Sequence, residues 1–214
     1  GIPGAEARFT GLIKNANSTW LIGQPFRQDL QQLLKRAVRI ANDANCFALS
    51  EAVDGAAAGV SVVFGVILGT GVGGGITVNG NVIGGANRIA GEWGHNRQPG
   101  DEAVLPDCYC GRQGCVETFL SGPGLQRDHE RVTGQILEPM EIVQNAVAGD
   151  AASAASLCRY EERLARALAQ VINILDPDVI VLGGGLSNIA SLYDNVPTLW
   201  GALVFSDRVV TRLI

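Results

Sequence analysis

Cys108-Tyr109-Cys110-Gly111-Arg112-Gln113-Gly114-Cys115 is the stretch of this sequence that says most about its fold. It holds three of the five cysteines, and His95 lies a short way upstream. Three thiolates and one imidazole complete a tetrahedral zinc shell and leave no position for water, as in structural zinc sites. The alternative is that the cysteines form a disulfide or stay reduced in the core, but their tight, glycine-separated spacing favours a metal. The predicted Zn²⁺ ligands are His95, Cys108, Cys110 and Cys115.

Acidic side chains flank this stretch on both sides. Glu92 and His95 belong to Gly91-Glu92-Trp93-Gly94-His95, and Glu117 follows two residues after the last cysteine. One metal ion that pins both segments would bring carboxylates and an imidazole into one cleft. The pattern therefore predicts a rigid wall of a binding site, although isolated glutamates are more often solvated surface charges.

The composition predicts a globular protein of the cytoplasm. The chain has 214 residues, of which 47% are hydrophobic, so it can bury a sizeable core. A net charge of -5 argues against nucleic-acid binding, because nucleic-acid binders carry a surface rich in basic residues. We find no apolar stretch long enough for a bilayer and no signal sequence, so no membrane partner is expected. The opening turn at residues 1–4 and the apolar end at 209–214 are expected of a fragment.

Helices and strands alternate along the chain, which predicts an α/β fold. Periodicity predicts a helix over 26–34, a strand over 38–40 and a second helix over 46–53, with polar residues at the junction between them. Strands are predicted at 62–68 and 76–78 around a glycine turn at 69–75, with a hairpin turn at Asn79-Gly80. Farther along, a helix over 155–175 precedes a strand over 179–182, three glycines and another helix. His129, in a charged run, is predicted to be exposed.

Five segments together resemble the ROK family of bacterial sugar kinases and sugar-responsive repressors. They are Asn42-Asp43-Ala44-Asn45, Gly69-Thr70-Gly71-Val72-Gly73-Gly74, Gly91-Glu92-Trp93-Gly94-His95, the cysteine stretch through Glu117, and Val181-Leu182-Gly183-Gly184-Gly185. The glycine motifs are weak individually, whereas the cysteine stretch joined to the Gly-Glu-x-Gly-His segment is highly specific. Residues 14–20 and 51–57 look most like bacterial fructokinases that also accept mannose.

The resemblance implies the actin/hexokinase-like (ribonuclease H-like) fold of two α/β domains. Residues 1–55 would be the remainder of the N-terminal domain, with a sugar-binding loop and the catalytic Asp, and 56–214 the C-terminal domain with the zinc loop and nucleotide-binding glycines. The family's N-terminal Asp-x-Gly-Gly-Thr loop and its closing helix are absent from this sequence. The N-terminal domain is therefore expected to be incomplete, with part of the ATP and Mg²⁺ site outside this chain. A homodimer is expected, as in other family members.

The resemblance also implies an ATP-dependent kinase that phosphorylates the 6-hydroxyl of fructose, or of mannose or glucose. The alternatives are a sugar-responsive transcriptional regulator, an N-acetylhexosamine kinase and a binding module without catalysis. Asp43 would be the catalytic base, and the alternative is that it serves as an N-cap for the following helix. The sugar-contacting residues would be Asn17, Asn42, Glu92, His95 and Glu117. The nucleotide-binding residues would be Thr70, Gly71, Gly73, Gly74 and Gly75 on the phosphate side and Gly183, Gly184 and Gly185 on the adenosine side, although such runs are often plain tight turns.

Overall fold

The computed structural model describes residues 1–2, 4–16 and 18–214. Its strands are β1 (Ala5–Glu6), β2 (Ile13–Lys14), β3 (Val62–Leu68), β4 (Val72–Val78), β5 (Asn81–Val82), β6 (Val179–Gly183) and β7 (Arg212–Leu213). Its α-helices are α1 (Phe26–Leu34), α2 (Asp43–Val53), α3 (Val116–Leu120), α4 (Gly122–Thr133), α5 (Pro139–Val147), α6 (Ala151–Leu175) and α7 (Ser191–Trp200). Short 3-10 helices lie at Thr19–Leu21, Trp93–His95, Gly185–Asn188 and Gly201–Leu203.

A five-stranded mixed sheet in the order β5-β4-β3-β6-β7 forms the centre of the molecule. β3, β4 and β5 are antiparallel neighbours, and the hairpin between β4 and β5 turns at Asn79 and Gly80. Both turn residues have positive φ, as the predicted Asn-Gly turn requires. β6 lies parallel to β3, with Ile67 opposite Gly183, so the carboxyl ends of these two strands meet at one edge of the sheet.

Alternating residues of the central strands pack into two hydrophobic cores, one on each face of the sheet. The larger core packs Phe64, Val66 and Leu68 of β3 against α6 and α7. In α6, fully buried Leu164 and Leu168 each contribute roughly 2 kcal/mol from the hydrophobic effect. The smaller core, on the other face, consists of Val63, Val179 and Val181 packed against α2, together with Ala52 and Ala57.

Helix α2 lies unusually close to the sheet because glycines face it. An ideal Cβ on Gly65 would lie 2.8 Å from Ala48 Cβ, and one on Gly75 would meet the backbone of Ala44. The glycine turn predicted at 69–75 is therefore shorter than expected. Gly73, Gly74 and Gly75 lie within β4, where the absence of side chains lets the start of α2 approach the strand.

Three local expectations were wrong. Residues 38–40 form no strand; among the described residues, the pairing nearest to them is a parallel bridge between Ile2 and Asn42. Helix α2 begins at Asp43 rather than Cys46, because the Asn42 side chain caps it by accepting from the Asn45 N–H at 3.1 Å. His129 is fully buried instead of exposed, with Nδ1 3.0 Å from Ser156 Oγ.

Within the described residues, no helix combines the length and the apolar character needed to cross a bilayer.

Candidate sugar and metal site

The four predicted zinc ligands converge on one point. The ligand atoms of His95, Cys108, Cys110 and Cys115 all lie within 4.8 Å of one another. Cys110 Sγ and Cys115 Sγ are 3.6 Å apart, and Cys108 Sγ is 3.6 Å from His95 Nδ1. Sulfurs bound to one tetrahedral zinc ion at about 2.3 Å lie about 3.8 Å apart, so this donor set fits Zn²⁺. No cysteine is bonded to another, and the disulfide alternative is not realised in this structure.

The cysteine loop is closed at its base by backbone pairing. The Val116 N–H donates to the Asn96 carbonyl at 2.8 Å, and Arg97 forms an antiparallel bridge with Cys115. These backbone interactions attach the cysteine loop to the segment that carries His95. This pairing places the imidazole next to the thiols without the help of a metal ion.

The three thiols differ in acidity. Burial raises the pKa of Cys115 to about 12, with hydrogen bonds to Cys110 and Cys108 acting in the same direction. Burial also raises the pKa of Cys108. Burial opposes ionisation of Cys110 as well, but hydrogen bonds from Arg112 outweigh it and lower the pKa to about 6. A metal ion would therefore have to displace protons from two buried thiols, which makes its affinity depend on pH.

A cleft of about 240 Å³ lies beside this cluster. Its lining brings together most of the predicted catalytic and sugar-contacting side chains with part of the glycine turn. These residues are Asn42, Asp43, Thr70, Gly71, Gly73, Glu92, His95 and Glu117. Asn17, the remaining predicted sugar contact, lies outside the described residues.

Glu117 is held at the turn between β3 and β4. Its Oε2 accepts a hydrogen bond from the Val72 N–H at 2.9 Å, and an ideal Cβ on Gly71 would lie 2.7 Å from the same oxygen. Gly71 is therefore needed to make room for the carboxylate. Since Glu117 lies in the first turn of helix α3, two residues after Cys115, this contact ties the metal loop to the sheet.

Asp43 is presented by the first residue of α2. Its Oδ1 accepts from the Ala44 N–H at 2.9 Å, the one hydrogen bond that its carboxylate makes among the described residues. The Asp43 N–H donates to the Ile2 carbonyl at 2.9 Å, which fixes the backbone. Asn42 caps the helix instead, and its Nδ2 donates to the Gly4 carbonyl at 3.3 Å. Asp43 is thus rigidly placed yet exposed to the cleft.

Glu92 stands opposite, at the start of the Trp93–His95 turn. Trp93 anchors this turn on β4, because its Nε1 donates to the Gly73 carbonyl at 3.0 Å. Burial raises the pKa of Glu92; the charges of Asp43 and Glu117 add to this effect, while His95 opposes it. Three carboxyl groups share the cleft, so it is an acceptor-rich site of the kind that suits the hydroxyls of a polyol.

The second glycine run lies at the same sheet edge as the turn. Gly183 ends β6, Gly184 has φ 87°, and Gly185 opens a 3-10 helix. An ideal Cβ on Gly184 would lie 2.8 Å from the Leu68 carbonyl carbon, so the run packs against the end of β3. Ligands of α/β sheets bind beyond the carboxyl ends of such strands. Within β4, Gly74 packs against Gly91 and Trp93, and Gly75 against Ala44.

Two cleft residues were missed by the sequence analysis. Asn15, with φ 55°, and Tyr109 both line the cleft. The Tyr109 hydroxyl lies 3.0 Å from His95 Nε2, and partial burial, reinforced by the negative charge of Glu117, raises the pKa of the phenol. Its position between Cys108 and Cys110, two of the predicted metal ligands, indicated that it lies beside the cluster but not that it faces the cleft.

Comparison with known proteins finds kinases that are similar to this chain. The chain is 41% identical to the N-acetyl-D-glucosamine kinase of Aliivibrio salmonicida, over 100% of this chain and 73% of that protein. A ROK hexokinase from Thermus thermophilus superposes with a TM-score of 0.84 at 28% identity, covering 99% of this chain and 70% of that one. A ROK family glucokinase from Streptomyces griseus, solved with glucose and AMPPNP, gives 0.82 at 25% identity, covering 100% and 73%.

These similarities confirm the predicted hexokinase-like α/β fold, and the two solved neighbours carry it at nearly full coverage of this chain. The narrower resemblance to fructokinases is not confirmed, since the curated relative carries a different substrate in its name. The sequence profile of the ROK family matches residues 1–213. The chain therefore belongs to the ROK family.

Proposed function

We propose that this protein is an ATP-dependent hexose kinase whose preferred substrate is an N-acetylated hexose such as N-acetyl-D-glucosamine. The observation that carries the proposal is the convergence of Asp43, Glu92, His95 and Glu117 on one cleft beside the turn at Thr70–Gly71. The relative named for N-acetyl-D-glucosamine supports the acetylated substrate over fructose. The neighbour solved with glucose and AMPPNP supports a hexose and ATP as the two ligands.

Asp43 serves as the general base in this proposal. Its carboxylate takes the proton of the hexose 6-hydroxyl while that oxygen attacks the γ-phosphorus of ATP. A new phosphorus–oxygen bond forms to the sugar, the bond to the β-phosphate oxygen breaks, and ADP leaves. Fixed placement at the start of α2 supports this role, because transfer requires the hydroxyl to be held in line with the phosphorus.

Glu92, Glu117, Asn42 and Asn17 orient the sugar by hydrogen bonds to its hydroxyls in this proposal. Carboxylates accept from hydroxyl groups, and an amide accepts and donates at once. The rigid backing of Glu117 by Val72 and of Asn42 by Gly4 supports precise reading of hydroxyl positions. A hexose that lacks the correct hydroxyl would leave buried acceptors unpaired and would be rejected.

ATP lies across the sheet edge in this proposal. Thr70, Gly71 and Gly73 to Gly75 form its phosphate side, and Gly183 to Gly185 its adenosine side. The meeting of these segments at the ends of parallel strands β3 and β6 supports the assignment. Mg²⁺ bound with the nucleotide would neutralise charge on the phosphates. His95, Cys108, Cys110 and Cys115 would hold a structural Zn²⁺ that keeps the cleft wall in place.

We also propose the division into a remainder of the N-terminal domain over 1–55 and a C-terminal domain over 56–214. Helix α2 would then connect the two, since it packs on the central sheet and carries Asp43 into the cleft. A homodimer and a cytoplasmic location complete the proposal.

The test combines calorimetry with measurement of ADP release. Protein purified from the complete gene should bind N-acetyl-D-glucosamine and release ADP when both sugar and ATP are present. Asp43→Asn should lower turnover by about 10²- to 10⁴-fold while hexose affinity changes little, because general-base catalysis is worth that much. Normal turnover in Asp43→Asn would refute the role of Asp43, and the absence of binding to any hexose would refute the function.

A further inference from the structure

Tyr109 extends from the metal loop into the mouth of the cleft. Its backbone lies between Cys108 and Cys110, two of the four clustered ligands. The side chain is 64% exposed, and its ring meets His95 edge to face with centroids 5.2 Å apart and planes at 86°. The loop therefore holds the phenol in one orientation at the cleft, although most of its surface faces solvent.

Zn²⁺ held through His95 Nδ1 would set the direction of the hydrogen bond between Tyr109 and His95. His95 Nδ1 is turned toward Cys108 Sγ at 3.6 Å, on the side of the metal cluster. The ring proton then belongs on Nε2, which donates to the Tyr109 oxygen 3.0 Å away. The tyrosine oxygen thus acts as an acceptor toward His95. Its own proton remains available for donation to a ligand in the cleft.

A donor is needed in this cleft because three of its side chains are carboxylates, which can only accept. Asp43, Glu92 and Glu117 are carboxyl groups that accept from sugar hydroxyls. A carbonyl oxygen cannot pair with them, since it has no proton to give. One N–H of Asn42 Nδ2 already donates to Gly4, while Asn15 and Thr70, which also carry donors, lie on segments other than the metal loop. Tyr109 is the donor on the wall formed by the metal loop.

We propose that Tyr109 is a specificity-determining residue that donates its hydroxyl proton to the acetamido carbonyl oxygen of an N-acetylated hexose. The tyrosine ring also gives the acetyl methyl group an apolar surface to pack against. This inference rests on the proposed function. It adds the group by which the cleft distinguishes an acetylated hexose from the parent sugar.

Calorimetry with two sugars tests the inference. Tyr109→Phe keeps the ring and removes the donor, so affinity for N-acetyl-D-glucosamine should fall by about 5- to 10-fold. Affinity for D-glucose, which has no carbonyl at that position, should change by less than about twofold. Gln113→Ala is the matched control from the same loop, because its side chain bonds to Asp107 at 2.9 Å and should leave both affinities unchanged.

A second measurement keeps the protein unaltered and changes the sugar. A thiocarbonyl accepts hydrogen bonds more weakly than a carbonyl, so the unaltered protein should bind the N-thioacetyl analogue less tightly than N-acetyl-D-glucosamine. Tyr109→Phe should bind the two equally. Elemental analysis of each variant verifies that its zinc content matches that of the unaltered protein.

The possible results distinguish failure of the role of Tyr109 from failure of the proposed kinase function. Equal weakening for N-acetyl-D-glucosamine and D-glucose, or no weakening for either, overturns the role of Tyr109 and leaves the kinase proposal standing. Failure of the unaltered protein to bind either sugar overturns the proposed function and this inference with it. Full discrimination between the two analogues by Tyr109→Phe also overturns the inference.

Discussion

Glu117 Oε2 accepts a hydrogen bond from the Val72 N–H at 2.9 Å, which joins the metal loop to the first residue of β4. Cys115 lies two residues before this carboxylate, and Gly71 lies directly under it. The contact therefore fixes a cleft carboxylate from two directions, through the loop and through the sheet. A substitution at either anchor should therefore change the affinity of the protein for hexose.

Gly71→Ala should weaken hexose binding by about tenfold or more, since the new methyl would lie 2.7 Å from Glu117 Oε2 and push the carboxylate away. Calorimetry measures the change. Gly84→Ala is the matched control, because a Cβ there meets nothing within 4 Å. An affinity equal to that of the unaltered protein in Gly71→Ala would show that Glu117 does not contact the sugar.

Cys115→Ser should abolish zinc binding and hexose binding together. A hydroxyl is a poor zinc ligand, and the loop that carries Glu117 would lose its anchor. Elemental analysis should give about one zinc per chain for the unaltered protein and close to none for the variant. Cys158→Ser, at an exposed position on α6, should retain the metal. Metal-free protein from an unchelated preparation would contradict the zinc site.

Gly65→Ala should lower stability by about 1 to 3 kcal/mol, because the new methyl would lie 2.8 Å from Ala48 Cβ and force α2 away from the sheet. The same shift would move Asp43, so turnover should fall more than hexose affinity. Urea unfolding and ADP release measure the two effects. Gly201→Ala, with open space around its Cβ, should leave both unchanged. Unaltered turnover would show that α2 does not set the position of Asp43.

Asp128→Asn should destabilise the protein by about 3 kcal/mol at neutral pH, because it leaves the buried Arg163 guanidinium without one of its partners. Asp128 also pairs with Arg131 at 3.0 Å and Arg159 at 2.8 Å. Urea unfolding measures the loss. Asp194→Asn, at an exposed position on α7, is the control and should change stability by less than about 0.5 kcal/mol.

The same carboxylate should make stability depend on pH in acid. Burial alone would raise the pKa of Asp128, but Arg131, Arg163 and Arg159 outweigh it and lower the pKa below its ordinary 3.8. The stabilisation is therefore complete above the unfolded-state pKa of about 3.9 and is lost as pH falls through the folded value. Asp128→Asn should lack the loss of stability that this carboxylate causes as the pH falls below about 4. Parallel stability curves for the two proteins would contradict it.

Regular elements with a clear period could be predicted closely from the sequence. Helix α1 and strand β3 have the predicted bounds, and the long α6 ends where Asp176 adopts a left-handed conformation. Such elements are specified locally, by apolar spacing and by the residue that ends them. The metal cluster could also be predicted from the sequence, because ligand type and spacing indicate it without knowledge of the fold.

Features that depend on distant partners could not be predicted. The glycines of β4 look like a turn in the sequence, and only the close approach of α2 and Trp93 explains why a strand contains them. His129 lies in a charged run, but its partner Ser156 is on another helix. Tyr109 gave no sign of facing the cleft, because its position follows from how the loop closes on His95.

The Val116 N–H donates to the Asn96 carbonyl, and this hydrogen bond closes the base of the cysteine loop next to His95 and Cys115. We call this hydrogen bond the clasp. Residues 99–106 lie beyond that clasp and before the first thiol. Glu102 in this segment pairs with Arg163 of α6 at 2.8 Å, so an insertion or deletion there would have to preserve that ion pair to leave the imidazole and Glu117 in place. Helix α6 therefore constrains the length of this segment as strongly as the clasp does.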